Sequence, residues 1–124
     1  MTYALVFLGA GIGGALRHGV NVAALRMLGS TLPFGTVIVN VLGSLIMGLI
    51  VGWLALRGDA AQPWRLFLTT GILGGFTTFS AFSLDVALIY ERGEIMLAAA
   101  YTAISVIGSI GALFLGLWFI RSTL

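Results

Sequence analysis

The chain has 124 residues, of which 60% are hydrophobic and 8% are charged, and its mean hydropathy is +1.13. Because a soluble domain carries about 25% charged residues, this composition excludes a water-soluble globular protein and indicates an integral membrane protein. The net charge of +2 is too small for nucleic-acid binding, and the absence of cysteine together with a single histidine excludes disulfides and the usual transition-metal sites.

Four apolar segments predict four transmembrane helices, since each is long enough to cross a bilayer at about 20 residues per crossing. The first segment lacks the basic start of a signal peptide, so we expect it to remain as the first span. Short polar connections predict that consecutive helices are antiparallel neighbours. We therefore expect one all-α membrane domain over residues 1–124, with spans at roughly 3–28, 34–56, 64–90 and 95–120.

The arginines give almost no signal for orientation in the membrane. Four spans place three arginines on one side and two on the other: Arg57, Arg65 and Arg121 against Arg26 and Arg92. Orientation normally follows a clear Lys/Arg excess on the cytoplasmic side. Two interpretations stay open: a small protein that simply has few charges, or a chain that inserts both ways round. The second would permit a two-fold antiparallel dimer.

Pairs of small residues four positions apart occur in all four predicted helices. Such pairs allow the close backbone contact that holds membrane helices together. They predict a tight bundle and an oligomer, and a dimer is the smallest plausible working unit because four short helices hardly enclose a pore. The pairs are Gly9 and Gly13; Ser44, Gly48 and Gly52; Gly71 and Gly75; and Gly108, Ala112 and Gly116.

Polar residues at membrane depth mark the first two helices, where each polar side chain needs a partner or a water-filled path. Arg17, in "GGALRH", either reaches the headgroups or places a positive charge at the mouth of an anion path. Thr36, Asn40 and Gly43, in "FGTVIVNVLGS", share one helix face. Asn40 is either an interhelical hydrogen-bonding residue or a donor that lines a pathway.

The third segment contains "GILGGFTTFSAFS" at 71–83, whose glycines predict a helix break near Gly74 and Gly75. A break at membrane depth is tolerated where protein buries it or where it lines water. Carbonyls freed before the break favour a cation, and amides after it favour an anion. Phe76, Phe79 and Phe82 would share one face, and their electropositive ring edges could meet an anion. The alternative is a kinked helix with phenylalanines facing lipid.

The fourth segment carries hydroxyls at helical spacing, on Thr102, Ser105 and Ser109. They indicate either packing residues that bond their own backbone or a polar track. Leu113 occupies the next turn and ends the stripe.

Through these motifs the sequence resembles the CrcB/Fluc family of fluoride channels over essentially its whole length. The strings "GGALRH", "FGTVIVNVLGS" and "GILGGFTTFSAFS" match in the expected order, and the last is highly specific to that family. The resemblance implies a dual-topology, antiparallel homodimer in a bacterial inner membrane. It also implies two separate pathways through which fluoride leaves passively, which lowers cytoplasmic fluoride.

The resemblance assigns roles to matching positions of this sequence. It implies ring-edge contacts to fluoride from two phenylalanines and further polar contacts along the pathway: Phe79, Phe82, Asn40, Ser80, Thr36 and Ser109. It places Arg17 and Asp85 at a pore mouth. It also implies a structural sodium ion at the dimer centre, held by backbone carbonyls of Gly74 and Thr77 from both subunits.

The sequence departs from the family pattern at two positions and leaves one residue without a role. Leu113 replaces a hydroxyl found in some members, and His18 replaces a common aromatic. Phe76 shares the aromatic spacing but matches no family role.

The sequence shows no nucleotide-binding loop and no nucleophile–base pair, so we do not expect an enzyme. A rival interpretation is a small four-span, dual-topology multidrug exporter. That function needs a carboxylate in mid-membrane for proton exchange, whereas the only acid inside a predicted span is Asp85, near its end. A non-transporting assembly subunit is a third possibility, but it would not explain the polar break.

Overall fold

The computed structural model describes residues 1–57 and 62–124, and these residues form helices and short connections without any β-strand. Four helical spans are long and apolar enough to cross a membrane, which confirms the predicted all-α architecture. Residues 58–61, within the predicted second connection, lie outside the described residues. The spans are Thr2–Leu28, Phe34–Arg57, Pro63–Glu91 and Ile95–Thr123.

Three of the spans are continuous helices, whereas the third is assembled from pieces. The continuous ones are α1 (Thr2–Leu28), α2 (Phe34–Arg57) and α6 (Ile95–Thr123). The third span consists of α3 (Gln62–Arg65), a π-helical stretch (Leu66–Leu73), α4 (Gly74–Phe76) and α5 (Phe79–Glu91). Thr77 and Thr78 between α4 and α5 are extended, and we call these two residues the break.

The break lies just after the position that the glycines predicted. Gly74 has helical dihedral angles (φ −62°, ψ −38°), and the helix continues to Phe76, so the prediction of a break at Gly74 and Gly75 is wrong in position. Gly75 is required for close packing instead. A Cβ on Gly75 would meet the Cα of Ala10 at 2.8 Å. The extended backbone begins at Thr77, with ψ 158°.

The closest helix pairs are not consecutive in the chain. The first span packs against the first half of the third, where the Cα of Gly9 lies 3.1 Å from the Cβ position of Gly71. The second span packs along the fourth, where Gly48 and Gly116 leave room for the backbone of the facing helix. Consecutive spans also touch, but less extensively. Small residues therefore decide this pairing, as close-packed membrane helices require.

Gly13 offers a test of this packing. A Cβ at Gly13 would meet the carbonyl oxygen of Ile72 and the amide nitrogen of Phe76, the latter at 2.7 Å. We expect Gly13→Ala to destabilise the fold by about 1–3 kcal/mol, since neither backbone atom can move freely. The matched control is Gly14→Ala, where a Cβ meets nothing within 4 Å. Thermal unfolding in detergent measures both, and equal midpoints would contradict this packing.

A small core joins the second half of the third span to the fourth. Phe82 and Ile89 of α5 pack with Ala98 and Tyr101 of α6, and all four are buried. Many other large apolar side chains are exposed on the outer surface, as expected for helices that face lipid. This core places Phe82 directly beside the break.

Candidate functional site

The side chain of Asn40 in α2 hydrogen-bonds the backbone of Thr78 in the break, in place of a backbone partner. Its side-chain Nδ2 donates to the carbonyl oxygen of Thr78 at 2.9 Å, and the Thr78 amide donates to its Oδ1 at 2.8 Å. Backbone groups at membrane depth are costly without partners, and the extended residues of the break cannot find them within a helix. Asn40 therefore stabilises the break with both the donor and the acceptor of its side-chain amide group.

The threonines of the break finish one helix and start the next. The amide and Oγ1 of Thr77 both donate to the carbonyl oxygen of Leu73, at 3.0 and 2.9 Å. Thr78 is the N-cap of α5, because its Oγ1 accepts from the amide of Ala81 at 3.1 Å. Ser80 lies nearby, with its Oγ 3.3 Å from Thr78 Oγ1. The hydroxyls of Thr77, Thr78 and Ser80 thus surround the start of α5.

The carbonyls at the end of α4 have unequal surroundings. The Gly75 carbonyl accepts a hydrogen bond of 3.2 Å from Nε of Arg17. In a continuous helix the Gly74 carbonyl would accept from the Thr78 amide, which donates to Asn40 instead. Gly74 is also exposed, and a Cβ there would meet only the Thr69 carbonyl oxygen, at 3.6 Å. The Gly74 carbonyl oxygen is therefore available to bind a ligand or a second chain.

Two of the three phenylalanines lie together after the break. The ring centroids of Phe79 and Phe82 are 5.5 Å apart with the planes tilted by 57°. Phe82 is buried, whereas Phe79 is 76% exposed. Phe76 lies before the break, where its ring is 3.2 Å from the Cβ position of Gly43. The predicted single face of three aromatics is therefore wrong, and Phe76 is a buried packing residue between helices.

A groove with a volume of about 390 Å³ runs beside these rings, between α2, the break, α5 and α6. Its polar lining comes from Asn40, Ser44, Ser105 and Ser109 as well as from the break. The hydroxyl oxygens of Ser105 and Ser109 are buried and have no hydrogen-bond partner within residues 1–57 and 62–124. Buried hydroxyls normally have partners, so these two indicate a groove that holds water or a ligand. Leu113 also lines this groove.

A second cavity of about 350 Å³ lies between the ends of α1, α2 and α5 and contains Thr36 and Asp85 in its lining. The hydroxyl of Tyr101 donates to Asp85 Oδ2 at 3.0 Å, and it lies 3.4 Å from the carbonyl oxygen of Pro33. The ring of Tyr101 stacks on that of Phe82, with centroids 5.8 Å apart. The two stacked rings therefore connect the lining of the second cavity to that of the groove.

Tyr101 is a site residue that the sequence prediction missed. It precedes Ser105 and Ser109 at the same spacing of four, so helical periodicity could have placed Tyr101 on the same face of α6. Thr102, which the prediction included in the stripe, donates to the carbonyl of Ala98 at 2.8 Å, a bond within its own helix. Ser105 and Ser109 of this stripe therefore line the groove, and Tyr101 meets the groove lining through its stacking on Phe82.

The structure places most predicted site residues around these two spaces. The groove collects Asn40, Thr77, Phe79, Phe82 and Ser109, and the second cavity collects Thr36 and Asp85. Ser80 is exposed beside the break, and Gly74 is exposed at the start of α4. Arg17 contacts the Gly75 carbonyl, which precedes the break. His18 is exposed. The roles assigned to these residues stay predictions.

Comparisons with known proteins agree on one family. Residues 4–117 match the family described as CrcB-like protein, Camphor Resistance (CrcB). The chain is 60% identical over 121 residues to Fluoride-specific ion channel FluC 2 of Nitrobacter hamburgensis, covering 98% of each chain. It is 56% identical over 122 residues to Fluoride-specific ion channel FluC of Granulibacter bethesdensis, covering 98% of this chain and 96% of the other. The protein of that name from Methylobacterium nodulans is 62% identical over 108 residues.

Proposed function

The chain belongs to the CrcB family, and on that premise we propose that it is a fluoride-specific ion channel of the bacterial inner membrane. The observation that carries the proposal is the 60% identity to a fluoride-specific ion channel over 98% of both chains. The four membrane-capable helices fit a multi-pass protein of that membrane. The protein is a passive channel and not an enzyme.

The purpose of such a channel follows from acid–base chemistry. Neutral HF crosses a bilayer, loses its proton in a neutral cytoplasm and is trapped as fluoride. The membrane potential favours exit of the anion by about 2.3 kcal/mol per 100 mV, so no energy source is needed. The rival multidrug exporter is not favoured, because it needs a carboxylate in mid-membrane. Within residues 1–57 and 62–124 the acids inside the observed spans are Asp85, which is hydrogen-bonded to Tyr101 at 3.0 Å, and Glu91, the last residue of the third span.

We infer that fluoride passes along the groove beside Phe79 and Phe82. Ring edges carry positive partial charge and can contact an anion without a full ionic charge. The unpartnered hydroxyls of Ser105 and Ser109 can donate to fluoride at the same depth. A larger anion such as chloride would fill this donor set poorly, and selectivity in channels arises from such size and donor matching.

The two serines provide a test that separates stability from conduction. Removing a buried hydroxyl that has no partner is expected to leave stability unchanged within about 0.5 kcal/mol or to raise it. Ser105→Ala and Ser109→Ala should nevertheless slow fluoride efflux several-fold, about 3-fold or more, because a hydrogen bond of about 1 kcal/mol is lost along the path. Ser122→Ala, exposed at the end of the chain, is the matched control. Wild-type efflux in both groove variants would remove these hydroxyls from the pathway.

We further propose that two chains of opposite orientation form the working channel. The balance of arginines supports insertion both ways round, with Arg57, Arg65 and Arg121 on one side against Arg26 and Arg92. Gly74 is exposed and its Cβ position meets only the Thr69 carbonyl oxygen, at 3.6 Å, which supports a close approach by a second chain. The purified particle should contain two chains of 13.0 kDa in antiparallel orientation, and a particle of one chain would contradict this part of the proposal.

A sodium ion at the dimer centre is the cofactor that the family resemblance implies. The residues fit it, because carbonyl oxygens are hard ligands and the Gly74 carbonyl has lost its helical amide partner to Asn40. The Thr77 carbonyl lies in the extended break, outside both flanking helices. We propose that these two carbonyls from each subunit hold the ion. Its positive charge would join four oxygens at the interface and stabilise the dimer.

Growth in fluoride tests the proposed function in cells. A bacterium that lacks its own fluoride channel should regain growth in fluoride-containing medium when it expresses this chain. The effect should strengthen at acidic external pH, because more HF then enters. Equal inhibition with and without the expressed chain would count against the proposal.

A further inference from the structure

Arg17 is the only charge placed well inside the first span, and its contact is specific. Its Nε donates to the carbonyl oxygen of Gly75 at 3.2 Å, and the side chain is half-buried. Within residues 1–57 and 62–124 this is the one hydrogen bond recorded for the guanidinium. A charged group at this depth needs a partner, and Arg17 finds it in the backbone beside the break.

The approach of α1 to the end of α4 makes this contact possible. Gly13 lies one helical turn before Arg17, and its Cβ position is 2.7 Å from the amide nitrogen of Phe76. Arg17 therefore projects over the last carbonyls of α4. The carboxyl end of a helix carries partial negative charge, so a cation is favoured there.

Along this helix end, carbonyls that accept hydrogen bonds flank one carbonyl that has lost its hydrogen-bond donor. The Leu73 carbonyl accepts two bonds from Thr77, and the Gly75 carbonyl accepts one from Arg17. The Gly74 carbonyl between them has lost its helical partner, because the Thr78 amide donates to Asn40. Arg17 thus fixes the peptide group that joins Gly75 to Phe76. This group is the next one along the chain after the Gly74 carbonyl, and Gly74 itself has a permissive backbone.

We propose that Arg17 is a positioning residue for the sodium site: it holds the Gly75 carbonyl so that the Gly74 carbonyl points at the ion. This inference rests on the proposed function, which supplies the sodium ion. A positioning role and a purely electrostatic role of Arg17 predict opposite effects of its removal on sodium affinity. Loss of a nearby positive charge alone would strengthen sodium binding, whereas loss of the hydrogen bond would weaken it. Weaker binding after removal therefore indicates lost positioning and not the lost charge.

The test measures sodium binding without using fluoride flux. Thermal unfolding of the purified protein in detergent is followed against sodium concentration, with choline replacing sodium at constant ionic strength. Ligand binding to the folded state raises its stability in a concentration-dependent way, which gives a half-saturating concentration. We expect Arg17→Met to raise that concentration about tenfold, the equivalent of one hydrogen bond to a charged group. Arg17→Lys, which keeps charge and a donor, should restore part of the loss.

Arg26→Met is the matched control, because Arg26 is exposed at the end of α1. An equal shift in Arg26→Met, or an unchanged or lowered value in Arg17→Met, would overturn the inference. If Arg17→Met cannot be purified folded, Arg17→Lys decides, and a wild-type value in it would overturn the inference. Wild-type protein whose stability ignores sodium would overturn both this inference and the sodium proposal. Its fluoride efflux, measured separately, would still report on the channel itself.

Discussion

Replacing Asn40 with leucine is expected to abolish fluoride efflux and to lower the stability of the fold by about 2–5 kcal/mol. Both hydrogen bonds between Asn40 and the backbone of Thr78 would be lost. The amide and carbonyl left without partners would each cost about 1–3 kcal/mol in a buried setting. Leucine has a similar volume, so the effect would come from the lost bonds. Thermal unfolding and efflux from liposomes measure the two consequences.

The control for Asn40→Leu is Ser122→Leu. Ser122 is exposed near the end of α6, and its side chain makes no hydrogen bond within the part of the chain that the structure describes. Its replacement should change stability by less than about 0.5 kcal/mol, as is usual for surface sites. A fully stable, conducting Asn40→Leu protein would show that the break does not depend on Asn40.

Phe79→Ile and Phe82→Ile are each expected to slow fluoride efflux about tenfold or more, because isoleucine offers no electropositive ring edge. A loss of about 1.4 kcal/mol in the barrier region corresponds to a tenfold change in rate. Phe79 is the cleaner site, since it is 76% exposed and contributes little to packing. Phe82→Ile also removes the stacking on Tyr101, so it should lower stability by about 1 kcal/mol or more.

Phe119→Ile is the matched control for these substitutions, since Phe119 is exposed on α6 and does not line the groove. It should leave efflux unchanged. Unchanged efflux in both Phe79→Ile and Phe82→Ile would remove the aromatic rings from the mechanism. Loss of efflux with an intact unfolding midpoint in Phe79→Ile would support direct contact with fluoride.

The spans were predictable from the sequence because hydropathy acts over whole segments. An apolar run of the required length has few alternatives to a membrane helix, and the four predicted spans match the observed ones closely. The identity of the helix pairs was not predictable in the same way. Glycines at spacing four occur in every span, and their sequence does not say which helix each face meets.

The position of the break shows why local propensity was insufficient. Glycine is a poor helix former, so Gly74 and Gly75 were assigned to the break. In the fold the missing side chain of Gly75 lets α1 approach, and both glycines remain helical. The break moves to Thr77 and Thr78, where Asn40 of α2 supplies the partners. Asn40 and Thr78 are 38 positions apart in the chain, so the sequence around the break does not reveal that they are hydrogen-bonded.

The family motifs predicted most residues of the candidate site, but they did not predict the contacts between these residues. Asn40, Phe79, Phe82 and Ser109 do meet in one groove. Arg17 was assigned to a pore mouth, and its bond to Gly75 depends on how α1 crosses α4, which no single helix reveals. Tyr101 was missed because an aromatic residue in an apolar helix resembles a packing residue, although its spacing to Ser105 was visible.

Fluoride efflux from liposomes that contain only the purified protein tests the central claim most directly. Liposomes loaded with potassium fluoride are diluted into fluoride-free buffer, a potassium ionophore balances the charge, and a fluoride electrode records release. We predict rapid, protein-dependent release of fluoride, while chloride in parallel liposomes stays inside. Absence of fluoride release, or release of chloride at a comparable rate, would contradict a fluoride-specific channel.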